Sequence, residues 1–226
     1  MTLRAVEEYG FAAFPEVLLP GEAERLIDDL TQSTLRRSKA GVRHALSHPA
    51  VAALARDPRL LQIVQEVLGD KALPFRATLF DKSHNANWLV VWHQDTALPI
   101  RERRDAPGWG PWSVKDGVAY AHAPASALGQ VLALRVHLDD STEHNGPLRV
   151  LPATHTRGIL SDDGIHELTA RIAPVDCLVA QGGVLAMRPL LVHSSSKSQA
   201  EMPRRVLHIE YAASMMVTTS LELAIA

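Results

Sequence analysis

The chain has 226 residues, 46% hydrophobic and 21% charged, with a formal net charge of -2. That length suits one sizeable core, so a single domain over 1–226 is expected, and no basic excess argues for a nucleic-acid partner. The lone cysteine, Cys177, excludes an internal disulfide or a Cys-rich zinc site, which leaves any metal to His and carboxylate and suits a reducing, cytoplasmic setting. Met1 to Gly10 lacks a basic start with an apolar run behind it. No later stretch reaches the roughly 18 apolar residues of a membrane span, so a soluble, unprocessed protein without a membrane partner is expected.

Tyr9 to Phe14 reads as a short strand. Glu22 to about Thr31 places Ala23, Ile27 and Leu30 at helical spacing behind Pro20, and a second helix is expected from about Pro58 to Leu68. Asp57 is placed to cap that helix and Gly69 to end it. These helices make a supporting segment of about 1–70. After Lys71 the pattern changes to short apolar runs at Ala77–Phe80, Trp88–Trp92, Val131–Leu138, Leu148–Leu151, Val184–Met187, Leu190–His193 and Val206–Tyr211. Gly, Pro, Asn and Asp clusters such as Asn145-Gly146-Pro147 punctuate them, which is the pattern of a barrel or sandwich. Between them, 99–129 shows no sustained period and carries Arg101, Arg103, Arg104, Trp109 and Trp112. A long stretch of that kind is expected to form a lid over a site. Its arginines permit an anionic substrate, although Glu102 and Asp105 among them fit a solvated charge cluster as well.

The residues that carry chemistry are His93 and Asp95, in Trp92-His93-Gln94-Asp95, and His193, in Leu191-Val192-His193-Ser194-Ser195. Residues two apart on a strand share a face, so His93 and Asp95 can reach one metal and His193 can arrive from another strand. Two imidazoles and a carboxylate describe a non-heme Fe(II) site with open positions. Asp139 and Asp140 are neighbours, face opposite ways and read as turn residues. His155 reads as a turn histidine, and His137 and His208 as packed strand residues.

Leu79-Phe80-Asp81-Lys82, Asn87-Trp88, Trp92-His93-Gln94-Asp95, Asn145-Gly146-Pro147-Leu148-Arg149-Val150-Leu151-Pro152 with His155, and His193-Ser194-Ser195 through Pro203-Arg204-Arg205 resemble the phytanoyl-CoA dioxygenase family of Fe(II)/2-oxoglutarate oxygenases. The matching stretches cover about 75–212. The resemblance implies a mainly β chain with flanking helices, built on a double-stranded β-helix of the jelly-roll, cupin-like kind. It implies iron on His93, Asp95 and His193, with 2-oxoglutarate and O2 as cosubstrates. The family's arginine spacing selects Arg204 for the far carboxylate of 2-oxoglutarate, a role a planar guanidinium suits. Ser195, Lys82 and Asn87 match positions near that pocket, and Trp92 and Trp112 are candidates to meet a small-molecule substrate. One departure is visible: the usual Gly-Ser-His turn appears here as Ala153-Thr154-His155.

The activity implied is hydroxylation of a C–H bond with conversion of 2-oxoglutarate to succinate and CO2. The presence of Asp95 argues against halogenation, which in related enzymes has a small residue there. A cupin-like metal-binding protein or metalloenzyme that does not use 2-oxoglutarate is the alternative, and it would have no need of Arg204. Substrate identity and oligomeric state stay open at this stage.

Overall fold

A computed structural model describes residues 4–33, 35, 37–38, 41–83 and 86–226. The first third is largely helical. It holds α1 (Arg4–Tyr9), β1 (Phe11–Phe14), α2 (Glu22–Thr31), β2 (Arg37–Ser38), β3 (Gly41–Val42), α3 (Pro49–Leu54) and α4 (Pro58–Leu68). Helix α4 starts as its sequence directs: Asp57 accepts from the Arg59 amide, Pro58 occupies the first turn, and Gly69 follows the last residue. The expected strand at 9–14 is shorter, because Tyr9 closes α1.

Strand structure dominates thereafter, with β4 (Leu73–Lys82), β5 (Val90–His93), β6 (Ala97–Ile100), β7 (Trp112–Lys115) and β8 (Val118–His122). After α5 (Ala125–Leu128) come β9 (Val131–His137), β10 (Leu148–Val150), α6 (Asp162–Arg171), β11 (Val175–Cys177), β12 (Val184–Met187), β13 (His193–Ser195) and β14 (Arg204–Ala212). Two antiparallel sheets face each other, one in the order β1-β12-β9-β14-β4-β3-β2 and the other β11-β10-β13-β5. This is the jelly-roll arrangement that the resemblance implies.

The large sheet is buried on both sides, and its two faces differ in chemistry. Leu132, Leu134 and Val136 of β9 alternate outward with Leu207, Ile209 and Tyr211 of β14, and pack under Leu60, Ile63 and Val64 of α4 and Leu26 and Leu30 of α2. Tyr211 secures the two layers by donating its hydroxyl to the Ala55 carbonyl at 3.0 Å. The opposite face looks into the barrel and is polar: Arg135 and His137 from β9, Arg204, His208 and Glu210 from β14, Lys82 from β4. An outer apolar layer of this size supplies the burial that supports a polar interior.

The stretch 99–129 is irregular over 101–111 and ordered beyond it: β7 and β8 form a hairpin, β6 joins β8, and α5 closes the segment. Among the described residues no helix is long and apolar enough to cross a membrane.

The departure at 153 is visible in the backbone. Ala153 takes φ 63° and ψ 6°, the left-handed region that glycine occupies without strain. Thr154 then donates its hydroxyl to Leu151 O and accepts from the Val192 amide, which holds the turn against the strand that leads to His193. Ala153→Gly is therefore expected to stabilise the protein by about 0.5 to 1 kcal/mol, after the added unfolded-state entropy of glycine is subtracted. Denaturant unfolding checks this; a loss of stability would show that the left-handed turn is not what limits the site.

Candidate metal and anion site

Strand pairing builds the centre. β5 and β13 are antiparallel neighbours with His93 opposite His193, and Asp95 follows two residues after His93. The imidazole centroids lie 4.2 Å apart. His93 Nε2 is 3.6 Å from Asp95 Oδ1, and His193 Nε2 is 3.5 Å from Asp95 Oδ2. Among the described residues these three form the one group of His, Cys, Asp or Glu side chains disposed to hold a metal ion, with ligand atoms within 4.8 Å of one another.

Each imidazole is oriented by its other nitrogen. His93 Nδ1 lies 2.8 Å from the Val91 carbonyl and His193 Nδ1 lies 2.8 Å from the Leu191 carbonyl. An Nδ1–H donated to each leaves Nε2 bare and aimed at the common point, as metal-binding histidines require. The Asp95 amide donates to Pro189 O at 2.9 Å. Gln94, between the ligands, faces away and is buried; it donates to Gly158 O and Leu190 O and accepts from the Leu160 amide. It clamps the end of β5 between two loops.

The electrostatics suit a cation. Burial alone would raise the Asp95 carboxyl, but the neighbouring His193 and His93 outweigh it and hold Asp95 well below the usual carboxylate range. Burial pushes His193 down to about 4. Burial also acts downward on His93, yet its contact with Asp95 holds it above its ordinary value. A divalent ion would supply the positive charge that the Asp95 carboxylate and the two bare Nε2 atoms are disposed to receive. His193 is buried, whereas Asp95 keeps 34% of its side-chain surface, so the triad opens on one side.

Beyond the triad lies a cation-lined recess. Arg204 is 3% exposed and donates from Nε to Asn145 O at 3.1 Å, while its Nη1 is buried without a partner. Directly across from it on β4, Lys82 donates from Nζ to Ser195 Oγ at 2.7 Å and to the Ser196 carbonyl. Ser195 in turn donates to Gly146 O at 2.8 Å. Gly146 has φ 66°, and a Cβ there would collide with the Ser196 carbonyl, so the Asn-Gly-Pro turn needs its glycine to close over this recess. His137 adds two more buried ring nitrogens without partners. On the other side of the triad, Arg76 is ion-paired to Glu210 (Nη2–Oε1 2.6 Å) and donates to Ala97 O. Tyr120 from β8 lies 5.7 Å beneath the Arg76 guanidinium carbon, and Lys115 Nζ is 4.8 Å from the same ring.

Three candidates from the sequence lie elsewhere. Asn87 is exposed, and both ends of its amide are taken by Ser198, whose carbonyl accepts at 2.8 Å and whose amide donates at 2.7 Å; it braces the loop after β13 instead of joining the recess. Trp92 neighbours His93 on β5 and so faces the opposite way, packing with Leu151, Ile165, Leu168 and Val192 beside α6. Trp112 pairs with Ala121 on β7–β8, the face opposite Tyr120, and packs on the cluster around Leu98 and Ile100 with Arg103 over its ring. Arg101 and Arg104 pair with Glu222 and Glu102 at the surface, as in a solvated charge cluster. His155 contacts the Glu7 carbonyl and docks α1, and Asp139 pairs with Arg205. Arg135, Gln94, Arg76, Glu210 and Tyr120 were not singled out from the sequence. The available signal was charged residues at alternate positions in otherwise apolar strands, as in Leu134-Arg135-Val136-His137.

A family model described as phytanoyl-CoA dioxygenase (PhyH) matches residues 6–206. The chain belongs to the phytanoyl-CoA dioxygenase family. Within it, the chain is 26% identical to an L-proline trans-4-hydroxylase of Streptomyces griseoviridis over 186 residues, 71% of this chain and 62% of that protein. It is 26% identical to an ectoine dioxygenase of Sphingopyxis alaskensis over 190 residues, 74% of this chain and 55% of that protein. The chain thus spans less than two thirds of the length of either relative. Among solved structures, AviO1 from Streptomyces viridochromogenes superposes with a TM-score of 0.66 at 24% identity, covering 98% of this chain and 96% of that one. EctD from S. alaskensis, solved with 2-oxoglutarate and 5-hydroxyectoine, superposes with a TM-score of 0.68 at 20% identity over 93% of this chain and 74% of that one.

Burial of Lys82 in this recess has a testable consequence. Burial, then the charges of Arg204 and Arg135, push its ammonium down to about 7 from an ordinary value of 10.5. Between these values the unfolded chain holds the extra proton, so stability rises with pH, and below about pH 7 both states are charged and the trend ends. Melting temperature of the ligand-free protein should climb from about pH 7 to about pH 9. Lys82→Met should flatten that slope; an unchanged slope would assign the titration to another group.

Proposed function

We propose that this protein is an Fe(II)- and 2-oxoglutarate-dependent dioxygenase that hydroxylates a C–H bond of a small organic substrate. In the balanced reaction, 2-oxoglutarate, O2 and R–H give succinate, CO2 and R–OH. The observation that carries this reading is the pairing of an open His-Asp-His triad with a buried guanidinium, Arg204, whose Nη1 has no protein partner. A metal protein without an oxo-acid has no use for that cation, and leaving it unpaired is costly.

His93, Asp95 and His193 would hold the iron, which when bound supplies the activation of O2 coupled to oxidation of the oxo-acid. The residues do the positioning. Arg204 takes the far carboxylate with Nη1, and Lys82 adds a second donor from the opposite strand. An arriving anion favours the charged form of Lys82, so the proton stays at Nζ. Ser195 sets its hydroxyl between Lys82 and Gly146 and fixes the width of the recess. His93 and His193 keep their Nδ1–H groups on the Val91 and Leu191 carbonyls, so each ring would offer Nε2 to the iron. Asp95 is partly exposed, and Tyr120 and Lys115, which share one face of the β7–β8 hairpin beside Arg76, are placed to meet the substrate and to limit water. This hairpin takes the role of the lid.

The reading is tested without knowing the substrate. Anaerobic addition of Fe(II) and then 2-oxoglutarate should produce the weak visible charge-transfer band of a chelated oxo-acid. Hydrogen bonds to charged groups contribute about 1.5 to 3 kcal/mol each, so Arg204→Ala should weaken the 2-oxoglutarate titration by roughly tenfold to a thousandfold. His93→Ala should abolish the band. Its absence from wild-type protein shown to hold the metal would overturn the proposal.

A further inference from the structure

Arg135, like Arg204, is a buried guanidinium with a nitrogen that has no partner. It stands mid-strand in β9, opposite His208 of β14, and is 6% exposed. Of its five N–H donors, the contact found for it is Nη1 to His208 Nδ1 at 3.2 Å, while Nε is buried without a partner. Its guanidinium lies over the Phe80 ring, 5.4 Å from the centroid, and no described carboxylate forms an ion pair with it. That contact makes His208 the acceptor and therefore neutral, so His208 brings no counter-charge.

Strand register places it. On the inner face β14 carries Arg204, Val206, His208 and Glu210 in turn and β9 carries His137 and Arg135, so Arg135 beside His208 stands between the Arg204–Lys82 pair and the Arg76–Glu210 pair. Asp95, in turn, favours the charged form of Arg135. Ser195 of β13 touches Lys82 and His193 is the next residue on that face, so His193 and Arg135 both lie inward from the Arg204–Lys82 end. Two groups of cations stand on one inner wall, the first being Arg204 with Lys82 and the second Arg135 alone. A dicarboxylate that spans the recess matches both.

We propose that Arg135 holds the carboxylate on the metal side of the oxo-acid, so that 2-oxoglutarate is gripped by an arginine at each end. This rests on the 2-oxoglutarate reading above. The same chemistry, a carboxylate at Arg135, would arise if the second anion belonged to an acidic substrate, and two ligands separate the sources. 2-Oxoglutarate has both carboxylates; 2-oxovalerate keeps the chelating oxo-acid end and lacks the far one.

The experiment is anaerobic titration of the Fe(II)-loaded full chain with each ligand, followed by the visible band. Arg135→Gln should weaken both ligands by roughly tenfold or more. Arg204→Gln should weaken 2-oxoglutarate alone and leave 2-oxovalerate within about twofold of wild type. If Arg135→Gln leaves both ligands unaltered, the assignment to the oxo-acid is wrong, and the second anion is the substrate's or the residue is structural.

A second variant guards against misfolding. Arg135→Met removes an unpaired buried cation while keeping similar reach, so the ligand-free melting temperature should be no lower than wild type. The rise in melting temperature that 2-oxoglutarate gives the metal-loaded protein should shrink. A large drop in the ligand-free melt with the ligand-induced rise intact would make Arg135 a structural residue and overturn the proposal. A wild-type protein that holds metal and shows neither band nor melting shift would overturn the 2-oxoglutarate reading itself.

Discussion

Uncompensated positive charge inside the barrel is the constraint around which this molecule is arranged. Lys82, Arg135 and Arg204 point inward from three adjacent strands and find backbone carbonyls, a hydroxyl and an imidazole, but no carboxylate among the described residues. A buried charge without an opposite partner is among the more costly features a fold can carry. The compensation comes from the other face of the same sheet, where Leu132, Leu134, Val136, Leu207, Ile209 and Tyr211 are buried under the helices. Strand alternation lets one sheet do both, since each residue added to the apolar layer sets its neighbour into the barrel.

The helical first third is therefore energetic support for a site to which its described residues contribute no candidate metal ligand. Its apolar layer holds β9 and β14 flat against their neighbours, and their register sets Arg204 opposite Lys82 and Arg135 opposite His208. The second sheet is smaller and does a different task. Its β5–β13 ladder brings His93 against His193, with Gln94 and the Asp95 amide anchoring the end of β5 to loops from two other parts of the chain.

Local spacing made the His-Asp pair legible, because the relation of residues two apart on a strand needs no knowledge of the rest. Helices α2 and α4 were legible for a similar reason: each has a 3.6-residue apolar stripe, and α4 has Asp57, Pro58 and Gly69 at its ends. Helix α3, Pro-Ala-Val-Ala-Ala-Leu, has no polar face to contrast with an apolar one and was missed. Helix α6 did carry a local signal, with Ser161 capping the Gly164 amide and Asp162 and Asp163 in the first turn. The β6–β8 sheet was hidden by its composition, since Pro99, Ala119 and Ala121 give short strands a weak alternation. The two tryptophans pack on apolar clusters, for reasons of strand parity. Trp92 adjoins a metal-facing histidine and so cannot share its face. Trp112 has a parity fixed by pairing with β8, which is a relation between distant residues and not a property of its own segment.

The chain's other well-placed arginines sharpen what the unpaired ones mean. Arg59 is paired with Asp57 and Glu22, Arg76 with Glu210, and Arg205 with Asp139. Arg76 is the informative comparison, because it too is on the inner wall and the chain places Glu210 from the neighbouring strand against it. A carboxylate on β9 or β14 beside Arg135 or Arg204 would be no harder to accommodate, and it would relieve the same desolvation. Providing one would also occupy the donors that an incoming anion needs and surround it with negative charge. The pattern of pairing thus separates guanidinium groups that hold the fold together from those kept available, and the available ones gather on the side of the barrel where His93, Asp95 and His193 converge.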